Sequence, residues 1–393
     1  MIAVEALMVL ENNLTFTKQV SRKYSSQFAR NGAKIGSTFQ IRKPAQYLVQ
    51  SGQSFSAQNF VETQTTLTLN TQKHIDVSFT SQELTLDINS YSDQVLKPQL
   101  SALANAVDAD GLALINSVYN SVGTPGTVPN SSATYLNAGA LLDKNAAPKS
   151  DRAAVISPDM QATIVPALQG LFNPTTLVSK QYETGTMGQA LGFKFSMDQN
   201  VATHTVGPLG GTPLVNGASQ TGASLVTDGW TASAAARLNK GDIFTIAGVY
   251  MVNPMSKAVQ TSPQQFVVTA DVSSDGSGNA TIPISPAIVA TGAAQNVSNS
   301  PANGAPITVV GAAGTVTPQG LAFHPDAFTI ASADLTDPSQ FGAWGAVAHD
   351  DQLGLSIRVW RQADIMNDAF PCRIDILYGW LAVRPEEAVR IQS

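Results

Sequence analysis

The chain is poor in charge. Asp, Glu, Lys and Arg make up only 13% of its 393 residues, about half of the ~25% usual in soluble domains. A lone monomer needs a solvated surface, so part of this surface is expected to lie in subunit contacts, which are depleted in charge. There is one cysteine, Cys372, which excludes an intramolecular disulfide. The four histidines, His74, His204, His324 and His349, are scattered without ligand spacing, which excludes a Cys/His zinc site. No run of about 18 apolar residues occurs, so no membrane-spanning helix is expected. Catalytic signatures are missing as well: no phosphate-binding loop, no GxGxxG after a strand, no HExxH and no GxSxG.

What remains of candidate chemistry reads as structure. The glycine-rich stretch from Gly207 to Thr212 lacks the lysine and the helix of a phosphate cradle, so it is expected to be a loop. Cys372 could be set beside His349 and Asp350 as a thiol–imidazole pair, but it falls in an apolar strand, where a buried inert thiol is expected. His324-Pro-Asp326 reads as a turn. Asp350-Asp351 and Glu386-Glu387 read as solvated charge. No catalytic residue, cofactor or metal is expected.

What is present is core-forming residues and an uneven charge. Apolar residues make up 43%, enough for a real core, and the length suggests two or three domains at about 150 residues each. The net charge is −6, which argues against coating nucleic acid by bulk attraction. Residues 12–43 hold seven basic residues and no acid. With Glu5 and Glu11, residues 1–43 carry +5, leaving −11 for the rest. A basic arm on an acidic body suits contact between copies of one chain.

Local pattern gives the order of elements. Met1 to Leu10 is apolar, lacks a basic leader and carries Glu5, so it reads as an amphipathic helix rather than a signal peptide. Residues 36–45 and 64–80 alternate apolar and polar and read as two strands. The polar stretch between them makes an extended hairpin, which is marginal alone and should lie on a support. Residues 90–122 repeat Leu96, Leu100, Leu103, Val107, Leu114 and Val118 near the helical period, opposite a polar face that includes Asp108. Residues 134–200 read as mixed, with strands at 151–157 and 192–197 and a helix start at Ser157-Pro158. Residues 201–316 hold seven charged residues and no Glu. Short β-branched runs separated by turns predict a small β-barrel or sandwich there. Residues 353–363 and 372–383 read as a pair of long antiparallel strands.

This order resembles the major capsid protein of tailed double-stranded-DNA phages, with the Hong-Kong-97-type fold. More narrowly it is similar to coat proteins of the P-22 type, which carry an inserted β-barrel. Two patches bear the likeness: Leu238-Asn-Lys-Gly-Asp-Ile-Phe-Thr-Ile-Ala-Gly-Val-Tyr250, like the core hairpin of that insertion, and Cys372-Arg-Ile-Asp-Ile-Leu-Tyr-Gly-Trp-Leu-Ala-Val-Arg-Pro-Glu386, like the family's C-terminal strand. Gly354-Leu-Ser-Ile-Arg-Val-Trp360 fits that strand's partner.

The resemblance implies an α+β fold with an N-terminal arm at 1–35, an E-loop hairpin at 36–80 and a P-domain with spine helix at 81–122. An A-domain would occupy 123–200 and 317–352, the β-barrel insertion 201–316, and the closing P-domain strands 353–393. It implies a structural protein that assembles as hexamers and pentamers into an icosahedral head shell. Its partners would be many copies of itself, a scaffolding protein and a portal, with packaged DNA enclosed without sequence-specific contact and no membrane. Assembly would take place in the host cytoplasm, and the protein would end in the virion. Lys18, Arg22, Lys23 and Arg30 in the arm, and Lys43, Phe55 and Phe60 in the hairpin, are expected to meet other subunits. Leu96, Leu100, Leu103, Val107, Tyr378 and Trp380 would build the P-domain core. Lys43 lies at the hairpin base rather than its tip, so no covalent cross-link is expected. A tail-tube or decoration protein, or an extracellular glycan-binding protein, would share the charge-poor β region; a tail-tube or decoration protein would not need the spine helix, and a glycan binder would want a signal peptide.

Overall fold

The computed structural model describes residues 2–24, 36–50, 52–53, 55, 57, 62–80, 97–168, 187–350 and 354–393. The chain forms two compact units, one of Met1–Arg42, Gln64–Leu112 and Phe328–Val383, the other of Lys43–Thr63, Ala113–Ala327 and Arg384–Ser393.

In the first unit, helix α1 (Ile2–Asn13) buries Ala6, Leu7 and Leu10, and the chain after it buries Leu14, Phe16 and Val20. Helix α2 (Lys97–Leu112) buries Leu100, Leu103, Ala104 and Val107, the spacing that puts them on one stripe. Phe16 stacks on Trp380 at 5.4 Å between ring centroids and meets Phe328 edge-on at 5.7 Å. A Cβ at Gly111 would lie 2.6 Å from Trp380 and 2.9 Å from Phe16. This glycine in the last turn of α2 is therefore set by packing, against its helix propensity.

The sheet of this unit is built on Ala369–Ala382. Leu355–Arg361 pairs with it antiparallel, as the tail pattern predicts, and Trp344–Asp350 pairs with Leu355–Arg361. Phe328–Ser332 and Thr71–Thr80 also pair with the central strand.

The hairpin differs from expectation. Thr38–Arg42 pairs with Gln64–Thr68, but the expected strand over 64–80 is two strands, broken at Leu69-Asn70. The second half leaves the hairpin and joins the sheet. At the break the backbones nearly touch: a Cβ on Gly379 would lie 2.1 Å from the carbonyl oxygen of Thr68. The hairpin base rests on its own chain, with Ile41, Leu67 and Leu69 packed against Ala331 and Val383. Gly379→Ala is therefore expected to cost about 1–3 kcal/mol or more, because backbone meets backbone and neither can rotate away. A urea titration followed by tryptophan fluorescence checks this. A cost under about 0.5 kcal/mol would mean that the strands do not cross there.

The helix expected over 90–122 is shorter than its pattern. Residues 90–96 lie outside the described residues. After Leu112 the chain tightens into a 3₁₀ turn, Ala113–Ser117, and then a strand, Ser121–Gly123. Ile115, Asn116, Ser117 and Val118 are weak helix formers. The backbone beyond them is committed elsewhere: the Val118 carbonyl accepts from Arg390 Nε at 2.7 Å, and Ser121–Gly123 runs parallel to Ala388–Gln392.

The second unit holds a mixed sheet in the order Ser121–Gly123, Ala388–Gln392, Val316–Phe323, Ala153–Ile156, Phe193–Met197, Gln189–Ala190. Helix α3 (Ser132–Lys144) is capped by Ser131, whose Oγ accepts from the amide of Ala133. Helix α4 (Pro158–Leu168) starts as predicted, with proline in its first turn and the Ser157 Oγ accepting from the amide of Met160. Tyr135, Leu142, Ile156, Met160, Ile164, Phe193 and Phe195 fill the core beneath.

Two expected boundaries move. The segment 317–352 does not stay together: Val316–Phe323 joins this sheet, whereas Phe328–Ser332 and Trp344–Asp350 belong to the first unit. The segment 353–393 divides too, because Ala388–Gln392 pairs antiparallel with Val316–Phe323 in the second unit.

The charge-poor region is a second β layer in the same unit. Six antiparallel strands run in the order Ile307–Val309, Ile243–Val252, Val259–Val268, Ala280–Ile288, Gly222–Trp230, Gly211–Val215. The two end strands meet. Val215 N donates to Ala305 O at 3.0 Å, Gly304 N donates to Val215 O at 2.8 Å, and Leu214 bridges Pro306. This closure makes the sheet a small barrel and removes its edges. Phe244, Phe266, Trp230, Leu225 and Ile282 fill the interior. The barrel lies inside 201–316, because Thr203–Thr205 and the start of Val316–Phe323 already pair with each other. The predicted turn at Asp275 holds. Its carboxylate accepts from the amides of Ser277 and Asn279 and from the Asn279 side chain, and these bonds hold its pKa below the usual carboxylate range.

Candidate assembly surface

Of the expected N-terminal arm at 1–35, the structure describes residues 2–24. This part is folded into the first unit. Asp108 on α2 hydrogen-bonds the segment after α1. It lies on the face read as polar, yet it is 2% exposed. Its carboxylate accepts from the amides of Thr15 at 2.6 Å, Phe16 at 3.2 Å and Thr17 at 3.0 Å, and from the Thr17 hydroxyl. These are the otherwise orphaned donors at the start of the 3₁₀ turn Thr17–Gln19. Lys18 and Lys23 are exposed on the segment so held. Arg22 is turned inward, its guanidinium donating to the carbonyls of Thr17 and Lys18. Burial pushes its pKa down, and Asp350 and Glu11 oppose the shift. Arg30 lies outside the described residues. Of the four, Lys18 and Lys23 are exposed, while Arg22 braces its own turn.

In the hairpin, Phe55 is 94% exposed and Val49 92%. Phe60 lies outside the described residues. Lys43 is half-buried, and its amide donates to Thr63 O at 2.9 Å. Burial raises the pKa of Glu386, and the charge of Lys43 works against that rise. Of the residues expected in the P-domain core, Leu100, Leu103, Val107 and Tyr378 are buried in the first unit, and Trp380 is half-buried against Phe16. Leu96 lies outside the described residues. Tyr378 donates its hydroxyl to Asp110 at 2.6 Å. Burial and this bond raise its pKa well above that of a free phenol.

The buried polar groups that the sequence did not single out are braces. Asp375 in the central strand is fully buried. It accepts from Arg358 through two nitrogens, from Arg373 Nε at 3.1 Å and from Gln72 Nε2 at 3.0 Å. In the second unit Asp242 opens the strand Ile243–Val252, meets His204 Nε2 at 2.8 Å and accepts from the amides of Gly207 and Asn239. Beside it Arg390, fully buried, donates to the carbonyls of Val118 and Gly241. Burial pushes its pKa down, and Asp242 opposes the shift. These pairs tie the barrel to the sheet. Cys372 is buried in its strand, as expected. His349 lies beside Asp334 at 3.3 Å. Among the described residues no three Cys, His, Asp or Glu side chains gather as metal ligands. This is an arrangement of braces around exposed apolar and basic tips.

A family model described as P22 coat protein, gene protein 5, matches residues 2–392. The chain belongs to this family. It is a coat protein, a structural component of the phage head shell, with an α+β fold. The match leaves the tail-tube, decoration and glycan-binding readings without support. Solved structures resemble the coat protein at low identity. One, from Mycobacterium phage Che8, is 14% identical with a TM-score of 0.48, over 96% of this chain and 90% of the other. The asymmetric unit of the bacteriophage PhiM1 mature capsid is 9% identical with a TM-score of 0.43, over 91% and 82%. A virus-like particle from Pyrococcus furiosus is 8% identical with a TM-score of 0.41, over 99% and 97%. Comparison with curated proteins finds no match. The assignment rests on the family match.

Proposed function

We propose that this coat protein assembles as hexamers and pentamers into the icosahedral head of a tailed phage, around double-stranded DNA held without sequence-specific contact. The observation that carries this reading is the family match over residues 2–392. The composition supports it. A shell of many copies needs repeated contacts of low charge, and heterologous contacts that close make a finite shell. A body that carries −11 outside residues 1–43 would hold packaged DNA loosely and let it leave. Scaffolding protein and portal are the further partners, assembly takes place in the host cytoplasm, and the product is the virion.

The parts take roles in this reading. The first unit, with α2 as spine helix, serves as the P-domain, and the hairpin with its exposed Phe55 as the E-loop. The mixed sheet of the second unit serves as the A-domain and the closed barrel as the insertion. Expression with the cognate scaffolding protein, followed by negative-stain electron microscopy, tests the whole. Uniform shells tens of nanometres across are expected; tubes, or monomers alone at high concentration, would overturn it.

The basic segment gives a sharper test. Lys18→Glu with Lys23→Glu is expected to block shell formation while the unfolding free energy from a urea titration stays within about 0.5 kcal/mol of wild type, as for exposed substitutions. Arg22 is left in place because it braces its own turn. Normal shells from the double variant would remove these lysines from assembly.

A further inference from the structure

An asparagine followed by glycine can modify itself. The glycine carries no side chain to hinder its amide, which attacks the asparagine side-chain carbon and closes a five-membered ring. The step Asn-Gly occurs three times in the chain. Asn31-Gly32 lies outside the described residues. The other two, Asn216-Gly217 and Asn303-Gly304, are exposed and face each other across the seam that closes the barrel. Asn216-Gly217 follows the end strand Gly211–Val215, and Asn303-Gly304 precedes the other end strand, Ile307–Val309. Each glycine amide is held by the opposite side of the seam. Gly217 N donates to the Asn303 side-chain oxygen at 2.7 Å, and Gly304 N donates to Val215 O at 2.8 Å. Ser219 N, donating to Pro301 O at 3.0 Å, extends the seam past both steps.

We propose that Asn216 and Asn303 are self-modification sites held unreactive by the closed barrel seam. At Asn303 the Gly304 nitrogen bonds to the side-chain carbon, the bond from that carbon to its amide nitrogen breaks, and ammonia leaves with the Gly304 proton. Water then opens the ring to aspartate or isoaspartate, so no oxidant, reductant or further reactant is needed. The same steps apply to Asn216 and Gly217. Attack requires the glycine amide to give up its proton and turn toward the side chain. A nitrogen whose proton is held by an acceptor across the seam does neither. The control is one-directional: the Asn303 side chain guards Asn216, whereas the Val215 carbonyl guards Asn303. The product records an opening. Aspartate at position 303 still offers an oxygen to Gly217 N. Isoaspartate puts one extra carbon into the backbone before Gly304, so Gly304 and Ala305 lose the register in which both bond Val215. The end strands then regain free edges, and a chain whose seam has opened is marked against closing again.

Asn303→Ala frees the Gly217 amide and tests the guard directly. The full chain is incubated without scaffolding protein at mildly alkaline pH, and conversion at each asparagine is followed by peptide mass spectrometry. Asn216 is expected to convert about two- to tenfold faster in the alanine variant than in wild type, the rate equivalent of one lost hydrogen bond at the attacking atom. Asn303→Asp keeps an acceptor and is expected to leave Asn216 at the wild-type rate. Trp230, buried in the barrel with its Nε1 donating to the Thr227 hydroxyl at 2.9 Å, reports whether the barrel stays closed, and its emission is expected to be unchanged in both variants. In wild type, both asparagines are expected to convert faster in denaturing urea than in the folded chain, a comparison that stands whatever either variant does to the barrel. Equal rates at Asn216 in wild type and the alanine variant would overturn the guard, and equal rates in folded and unfolded wild type would overturn the proposal as a whole.

Discussion

Replacing Asp375 by alanine is expected to destabilise the first unit by about 3–5 kcal/mol, the usual result of removing one partner from a buried ion pair. The carboxylate is fully buried in the central strand and faces Arg358 directly across the ladder. Arg358 grips it through Nε and Nη2, and Arg373 and Gln72 occupy the remaining lone pairs. Truncation leaves the Arg358 guanidinium, 14% exposed, with no counter-charge. Its remaining contacts are the Thr336 carbonyl and the face of Trp360 at 5.0 Å. If the penalty comes from the stranded charge rather than lost packing, Arg358→Met with Asp375→Leu should recover most of it, because a well-packed apolar pair can match a buried ionic one. Three of the four tryptophans, Trp344, Trp360 and Trp380, lie in this unit, so urea unfolding by fluorescence reads it selectively. A single-variant cost below about 1 kcal/mol would show that the pair is solvated. A double variant as weak as the single would show that the ionic network specifies the sheet.

The contrast between Asp375 and its strand shows what was legible. Ile374, Ile376, Leu377 and Tyr378 announce a buried strand, and Leu355–Arg361 opposite it was readable from its own alternation. The strands at 153–156 and 193–197, the helix start at Ser157-Pro158 and the Asp275 turn were also local signals. Sheet membership is different, because it is fixed by partners far away in sequence. Only residues 324–327 separate Val316–Phe323 from Phe328–Ser332, yet the two strands enter different sheets, and nothing in either run says so. The break at Leu69-Asn70 is set by Gly379, more than 300 residues downstream. Arg390 looks like an ordinary exposed position in a short alternating strand, and its burial depends on carbonyls from Val118 and Gly241. Of the residues singled out by the sequence, Lys18, Lys23 and Phe55 are exposed, whereas the exposed turn at Ile365 and Met366 had no signal of its own. Apolar side chains in a loop carry no local sign of exposure.

Asp108→Ala is expected to cost about 3–4 kcal/mol and to release the segment after α1. A helical Asp among Gln, Ser and Asn normally faces water, where its removal costs almost nothing. Here the carboxylate serves three backbone amides and one hydroxyl from Thr15 to Thr17. Hydrogen bonds to a charged acceptor contribute about 1.5–3 kcal/mol each. Water can reach part of this site at half-buried Thr15 and replaces part of that sum, while Phe16 and Thr17 are fully buried and keep the full penalty. Asp108→Asn retains the shape and one acceptor oxygen, so about half of the loss is expected. The consequence extends beyond stability, because this carboxylate holds Lys18 and Lys23 in place and seats Phe16 on Trp380. Limited proteolysis of the monomer should therefore cut between residues 14 and 24 in the alanine variant well before wild type. The same variant should assemble poorly even at temperatures where α2 stays folded. If the alanine variant unfolds within 1 kcal/mol of wild type and resists cleavage there, the segment is held by Phe16 and Leu14 packing alone. In that case the basic residues owe their position to the core rather than to the carboxylate.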